Sequence, residues 1–127
     1  MNATPLRLLL VDDEAGFTEV LAKRLRRRGL DVTVALSGGE AMQAVEQGAF
    51  DAAVVDFKMA DMDGLELLAW LKSHSPGLPV LMLTGHGSGE AAREGLAAGA
   101  ADYLIKPCDL HELLAKIAAA TGRVVAP

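Results

Sequence analysis

A chain of 127 residues that is 51% hydrophobic, with a mean hydropathy of +0.27, is expected to fold as one domain; disorder and a second folded unit are both excluded. No apolar run approaches the roughly 20 residues that span a bilayer, and Met1 to Pro5 lacks the charged and apolar regions of a signal peptide, so no membrane partner is expected. A net charge of −5 argues against direct nucleic-acid binding, and a single cysteine, Cys108, makes a reducing cytoplasm the expected location.

The first strand runs from Arg7 to Val11 and leads into Asp12-Asp13. Its continuous apolar run is that of a strand buried on both faces. A helix is predicted from about Ala15 to Arg28, with Phe17, Val20, Leu21 and Leu25 on one face and Gly29 closing it. Its basic end (Lys23, Arg24, Arg26, Arg27, Arg28) reads first as a solvated helix terminus, with partner docking as the functional alternative.

Val32, Val34 and Leu36 alternate with Asp31, Thr33 and Ala35, the pattern of a half-buried edge strand. Ser37-Gly38-Gly39-Glu40 has capping-box spacing and should open a second helix that stops near Gly48. Ala52-Ala53-Val54-Val55 is a third, buried strand ending on Asp56, with the loop Phe57 to Gly64 behind it. Asp63 caps a third helix carrying Leu65, Leu68 and Leu71, widened by Leu67 and Trp70, which ends at Ser75-Pro76-Gly77.

Val80-Leu81-Met82-Leu83 leads into Thr84 and the loop Gly85-His86-Gly87-Ser88-Gly89. An alanine-rich helix follows from about Ser88 to Ala98, closed by Gly99; Gly95 inside it costs about 1 kcal/mol, making it the least stable helix. Tyr103 to Lys106 is a short last strand, and Asp109 caps a helix whose Leu110, Leu113, Leu114 and Ile117 face inward. Residues 121–127 read as a tail or the start of a linker.

Strands alternating with helices imply an α/β fold: a doubly wound five-stranded parallel sheet flanked by five helices. Central places for the three continuous apolar strands give the order 2-1-3-4-5, with the switch point between strands 1 and 3. Asp12, Asp13, Asp56, Thr84 and Lys106 then meet at one sheet edge. Three close carboxylates repel unless a cation intervenes, and an all-oxygen set suits Mg2+. With that charge neutralised, Asp56 can attack a phosphoryl donor, Lys106 can pair with the incoming charge, and Thr84 with the Gly85 N–H can bind its oxygens.

Val11-Asp12-Asp13-Glu14, Asp56 with Met59 and Met62-Asp63-Gly64, Thr84-Gly85, Gly99-Ala100, and Tyr103 through Lys106-Pro107 together resemble the receiver domains of two-component response regulators. The resemblance covers essentially the whole chain and implies one receiver domain over residues 1–127, with the flavodoxin-like receiver fold. It implies that Asp56 takes phosphate from a sensor histidine kinase or phosphotransfer protein, and that Asp13, Asp56 and the Lys58 carbonyl hold Mg2+, with Asp12 acting through water. Thr84 and Tyr103 would switch the surface presented to a downstream effector or fused output domain, or to a second copy in a phosphorylation-dependent homodimer. A cis bond between Lys106 and Pro107 is implied as well, and kinase docking becomes the functional option for the basic helix end. Lys58 and His86 stand where the family tunes phosphoryl lifetime, and Ala60 replaces the family's usual proline. Such a domain is not an enzyme beyond its own phosphorylation and dephosphorylation.

Two other classes share parts of this pattern. A flavodoxin-type electron carrier would need a hydroxyl-rich phosphate loop after the first strand, where this chain has Asp12-Asp13-Glu14. A Mg2+-dependent phosphatase acting through an aspartyl phosphate commonly has a second aspartate two residues after its nucleophile; here that residue is Lys58. A degenerate receiver working without phosphate would be expected to lack the full acidic set.

Overall fold

A computed structural model describes residues 4–85 and 89–123. Its strands are β1 (Arg7–Val11), β2 (Asp31–Ala35), β3 (Ala52–Asp56), β4 (Val80–Thr84) and β5 (Asp102–Ile105). Between and after them come α1 (Ala15–Arg27), α2 (Gly38–Gln47), α3 (Gly64–His74), α4 (Gly89–Ala97) and α5 (Leu110–Thr121). All strand pairs are parallel and the order is β2-β1-β3-β4-β5, as the burial pattern of the sequence requires.

Alternation along each strand divides the interior into two layers. Leu8, Leu10, Val54, Leu81, Leu83 and Leu104 face α1 and α5, meeting Leu21, Leu25, Leu113 and Ile117. On the other side Leu9, Val11, Val55, Val80 and Met82 meet Leu67, Leu68 and Leu71 of α3 and Ala41 of α2. Every residue of β3 is buried, and β2 is the more exposed edge. Because β3 is clamped on both faces and both edges, its final residue is held where the chain emerges.

Most predicted boundaries agree within a residue. β2 starts at Asp31, and Leu36 lies beyond its end, 37% exposed. In α1 the inward stripe is Thr18, Leu21, Ala22 and Leu25, while Val20, expected on that face, is 58% exposed. Thr18 takes its place because its hydroxyl donates to the Ala15 carbonyl at 2.9 Å, so burial leaves no donor unpaired. At α2, Ser37 accepts from the Glu40 N–H, but the Glu40 carboxylate accepts from the Leu36 N–H, one residue earlier than in a capping box.

Gly29 and Gly99 close α1 and α4 with φ of 87° and 107°. Within α4, a Cβ on Gly95 would stand 3.2 Å from Met82 Cγ, so the glycine that weakens the helix also lets it lie close on β4. The predicted start at Ser88 lies outside the described residues, as does His86. Trp70 is half-buried and stacks on the exposed His74 ring at 4.5 Å. His111 is exposed, and the half-buried Cys108 thiol is pushed up by burial, which makes it a poor nucleophile. Arg26, in the basic end of α1, donates to the Val32 carbonyl at 2.8 Å and so works structurally.

Candidate functional site

Each site residue leaves the C-terminal edge of a different strand. Asp12 follows β1, and its backbone N–H continues the ladder by donating to Ala35 O at 3.1 Å. Asp56 ends β3 and is 5% exposed; Thr84 ends β4 and is 6% exposed. Lys106 follows β5, and its backbone N–H donates to Thr84 O at 2.8 Å, which keeps the two side by side. Gly64 lets α3 begin directly behind Asp56, since a Cβ there would overlap the Asp56 carbonyl oxygen. The Lys106–Pro107 bond is cis, as the resemblance implied.

Oxygens of Asp12, Asp13 and Asp56 lie within 4.8 Å of one another. Asp12 is fully buried, Asp56 is buried and Asp13 is exposed. Lys106 enters from one side, its Nζ 2.5 Å from Asp12 Oδ2, 2.6 Å from Glu14 Oε1 and 3.5 Å from Asp56 Oδ2. The Phe17 ring lies 4.8 Å from the same ammonium. Burial, reinforced by the neighbouring Asp12 charge, pushes the Asp56 carboxyl up to about 6, against the pull of Lys106 and a hydrogen bond from the Lys58 N–H. Lys106 is held above the ordinary lysine range by its hydrogen bonds to Asp12 and Glu14, which outweigh the opposing effect of its burial.

One ammonium therefore faces three buried or bordering carboxylates, with Asp13 on the solvent side. An all-oxygen donor set with one exposed ligand position fits a hard divalent cation that retains water. The cluster passes that test on its own chemistry: burial, and after it the neighbouring Asp12 carboxylate, makes Asp56 harder to ionise, and a cation between the two removes the conflict.

An open pocket of about 310 Å³ lies over Asp56, bordered by Lys58, Thr84, Gly85 and Lys106 and, at its rim, by Glu14, Glu90 and Glu94. Asp12, Asp13, Asp56, Thr84, Gly85, Lys58 and Lys106 are thus brought together. Tyr103 is not part of this pocket. It is half-buried against the α3-side layer, with Lys116 Nζ 5.2 Å from its ring and 2.7 Å from its carbonyl oxygen.

Three contacts lie outside the sequence reading. Asp61 accepts from the N–H groups of Gly38 and Gly39, both at 3.1 Å, and Asp13 accepts from the Ala60 N–H at 2.9 Å. The third is Glu14 on Lys106. A glutamate is a poor N-cap, and its position there immediately after two aspartates was a legible sign of another use.

A doubly wound sheet in this order, with acids, a threonine and a lysine at its switch point, defines the flavodoxin-like receiver fold. The response regulator receiver domain model matches residues 8–118, and the chain belongs to that family, the regulatory domain of bacterial two-component systems. It is 41% identical over 117 residues to the transcriptional regulatory protein ZraR of Escherichia coli, covering 92% of this chain and 26% of that protein. With the probable transcriptional regulatory protein TcrX of Mycobacterium tuberculosis it shares 38% identity over 122 residues, covering 96% of this chain and 52% of that one. The chain thus spans about half, or less, of the length of these relatives. Among solved structures, a putative response regulator from Chloroflexus aurantiacus superposes with a TM-score of 0.89 at 37% identity, over 94% of this chain and all of that one.

Proposed function

We propose that this domain is a phosphorylation-activated switch whose acceptor is Asp56. The observation that carries the reading is the meeting of Asp12, Asp13 and Asp56 with Lys106 beneath one open pocket. An Asp56 carboxylate oxygen bonds to the phosphorus of a kinase phosphohistidine. The P–N bond breaks, its electron pair stays on the imidazole, and that ring takes up a proton. Asp13, Asp56 and the Lys58 carbonyl would hold Mg2+, with Asp12 acting through water; the ion supplies charge neutralisation for the transferring group. Lys106, Thr84 and the Gly85 N–H bind the phosphoryl oxygens and orient them for in-line transfer.

The same group then biases a two-state surface. Thr84 closes on the phosphoryl group, Tyr103 turns inward, and the face made by α4, β5 and α5 changes. That face exposes Leu96 (44%) and Ile105 (45%), apolar area suited to an effector, an output domain or a second copy. Incubation with acetyl phosphate and Mg2+ followed by intact-mass measurement should show one added phosphoryl group, lost in Asp56→Ala; label persisting in that variant would remove Asp56 from the role. The phosphatase alternative has no support at Lys58, which donates its backbone N–H to Asp56 and stands where such enzymes commonly carry an aspartate as acid and base.

A further inference from the structure

Glu14 caps α1 by position only: its carboxylate accepts no hydrogen bond from its own helix. It reaches instead to Lys106, at 2.6 Å, a shorter contact than the 3.5 Å between that ammonium and Asp56. Asp12 completes the arrangement, one oxygen accepting the Glu14 N–H at 2.9 Å and the other holding the lysine at 2.5 Å. Asp12 is fully buried, whereas the Glu14 side chain is 65% exposed and has open space to swing into. An ammonium that must serve a phosphoryl group over Asp56 is therefore held back toward the β1 side by a carboxylate whose one ion pair among the described residues is with that ammonium.

We propose that Glu14 is a positioning residue, a latch on Lys106 that retards phosphoryl uptake by keeping the ammonium away from the space above Asp56. The latch rests on Asp56 being the acceptor. In the uptake step with acetyl phosphate, the Asp56 oxygen bonds to phosphorus and the bond from phosphorus to the acetyl oxygen breaks, acetate leaving with the electron pair. Lys106 has to neutralise the oxygens of the moving group during this step, so the Glu14 contact must be broken first. Because no helix cap depends on the Glu14 side chain, its replacement leaves the fold and the helix start intact.

The pocket supplies its own control. Glu90 and Glu94 border the same opening, but neither is within ion-pair distance of Lys106. Glu90→Gln removes one rim charge without touching the latch. Labelling rates of the full chain by acetyl phosphate in Mg2+, read by intact mass, should rise about two- to fivefold in Glu14→Gln, the range an exposed ion pair allows, and at least as far in Glu14→Ala. Glu90→Gln, which eases approach of the anionic donor without touching the latch, should give a clearly smaller rise. The Lys106 ammonium resonance in 15N-detected NMR, recorded without donor or metal, should shift in Glu14→Gln and remain in place in Glu90→Gln. Equal rates in Glu14→Gln and Glu90→Gln, or an unmoved ammonium resonance, would overturn the latch while leaving Asp56 as acceptor. A wild-type protein that takes up no label would overturn the acceptor, and the latch with it.

Discussion

Asp56 is asked to be both buried and ionised, and its carboxyl, pushed up to about 6 from 3.8, records the conflict. A carboxyl raised in the folded state binds its proton more tightly than in the unfolded chain, so folding stability falls as pH rises from about 4 to about 6. Above that window the full cost is present. Asp56→Asn should therefore stabilise the metal-free protein at about pH 7.5 by on the order of 1–3 kcal/mol, and the gain should shrink steeply toward about pH 4.5. Chemical denaturation at the two pH values reads this directly; a variant no more stable than wild type at the higher pH would mean that Lys106 already cancels the cost. Adding Mg2+ should raise the wild-type melting temperature through binding to the folded state alone, and this rise should be lost in Asp13→Asn and in Asp56→Asn. The acids themselves were legible because each ends an apolar run or follows one, and strand burial says where such a run surfaces. The Glu14–Lys106 contact was not, since its partners lie 92 positions apart and nothing in local spacing joins them.

Helices and strands were largely readable for the same reason: caps and periodicity are local. Ser37, Asp63 and Asp109 each accept from a backbone N–H in the first turn they open. Val20 misled because apolar counting ignores a threonine whose hydroxyl is satisfied within its own helix. The loop after β3 is a harder case. Ala60 stands where the family usually has proline, which would leave the loop slack, yet tertiary contacts restore its stiffness. Asp61 bridges the first two N–H groups of α2, and Asp13 holds the Ala60 N–H. Those two N–H donors draw the Asp61 carboxyl below its ordinary range, so its contribution is present above about pH 4 and is lost as pH falls through the depressed value. Asp61→Ala should lower the melting temperature by about 2–5 °C, within the range of a lost helix cap. It should also raise amide exchange at Gly38 and Gly39 and through residues 57–62. Exchange that rises at α2 alone would show that the loop is held by Asp13 without Asp61.

Across the molecule, the sheet's two ends have different tasks. The C-terminal edge concentrates acids that repel, while the opposite edge is tied together by complementary charge. There Asp51 accepts the Arg7 N–H at 2.8 Å and an Arg123 N–H at 3.0 Å, and the other Arg123 nitrogen donates to the Thr4 carbonyl. The Arg7 guanidinium pairs with Asp31 at 3.7 Å and lies 5.1 Å from the Phe50 ring. One carboxylate thus joins the entry to β1, the entry to β3 and the end of α5. Half-exposed ion pairs are weak individually, but a backbone donor left without its partner adds to the cost. Asp51→Ala should destabilise by about 1–2 kcal/mol in urea and increase exchange at Arg7 and near Arg123. Five residue steps, roughly 17 Å of extended chain, separate Asp51 from Asp56, which is about two Debye lengths at physiological salt. Mg2+ affinity and the acetyl phosphate labelling rate should therefore be unchanged in Asp51→Ala at temperatures where it is folded. A loss of metal affinity in that folded variant would mean that β3 transmits strain from one end to the other, and the division of the sheet into a tethered end and a reactive end would be wrong.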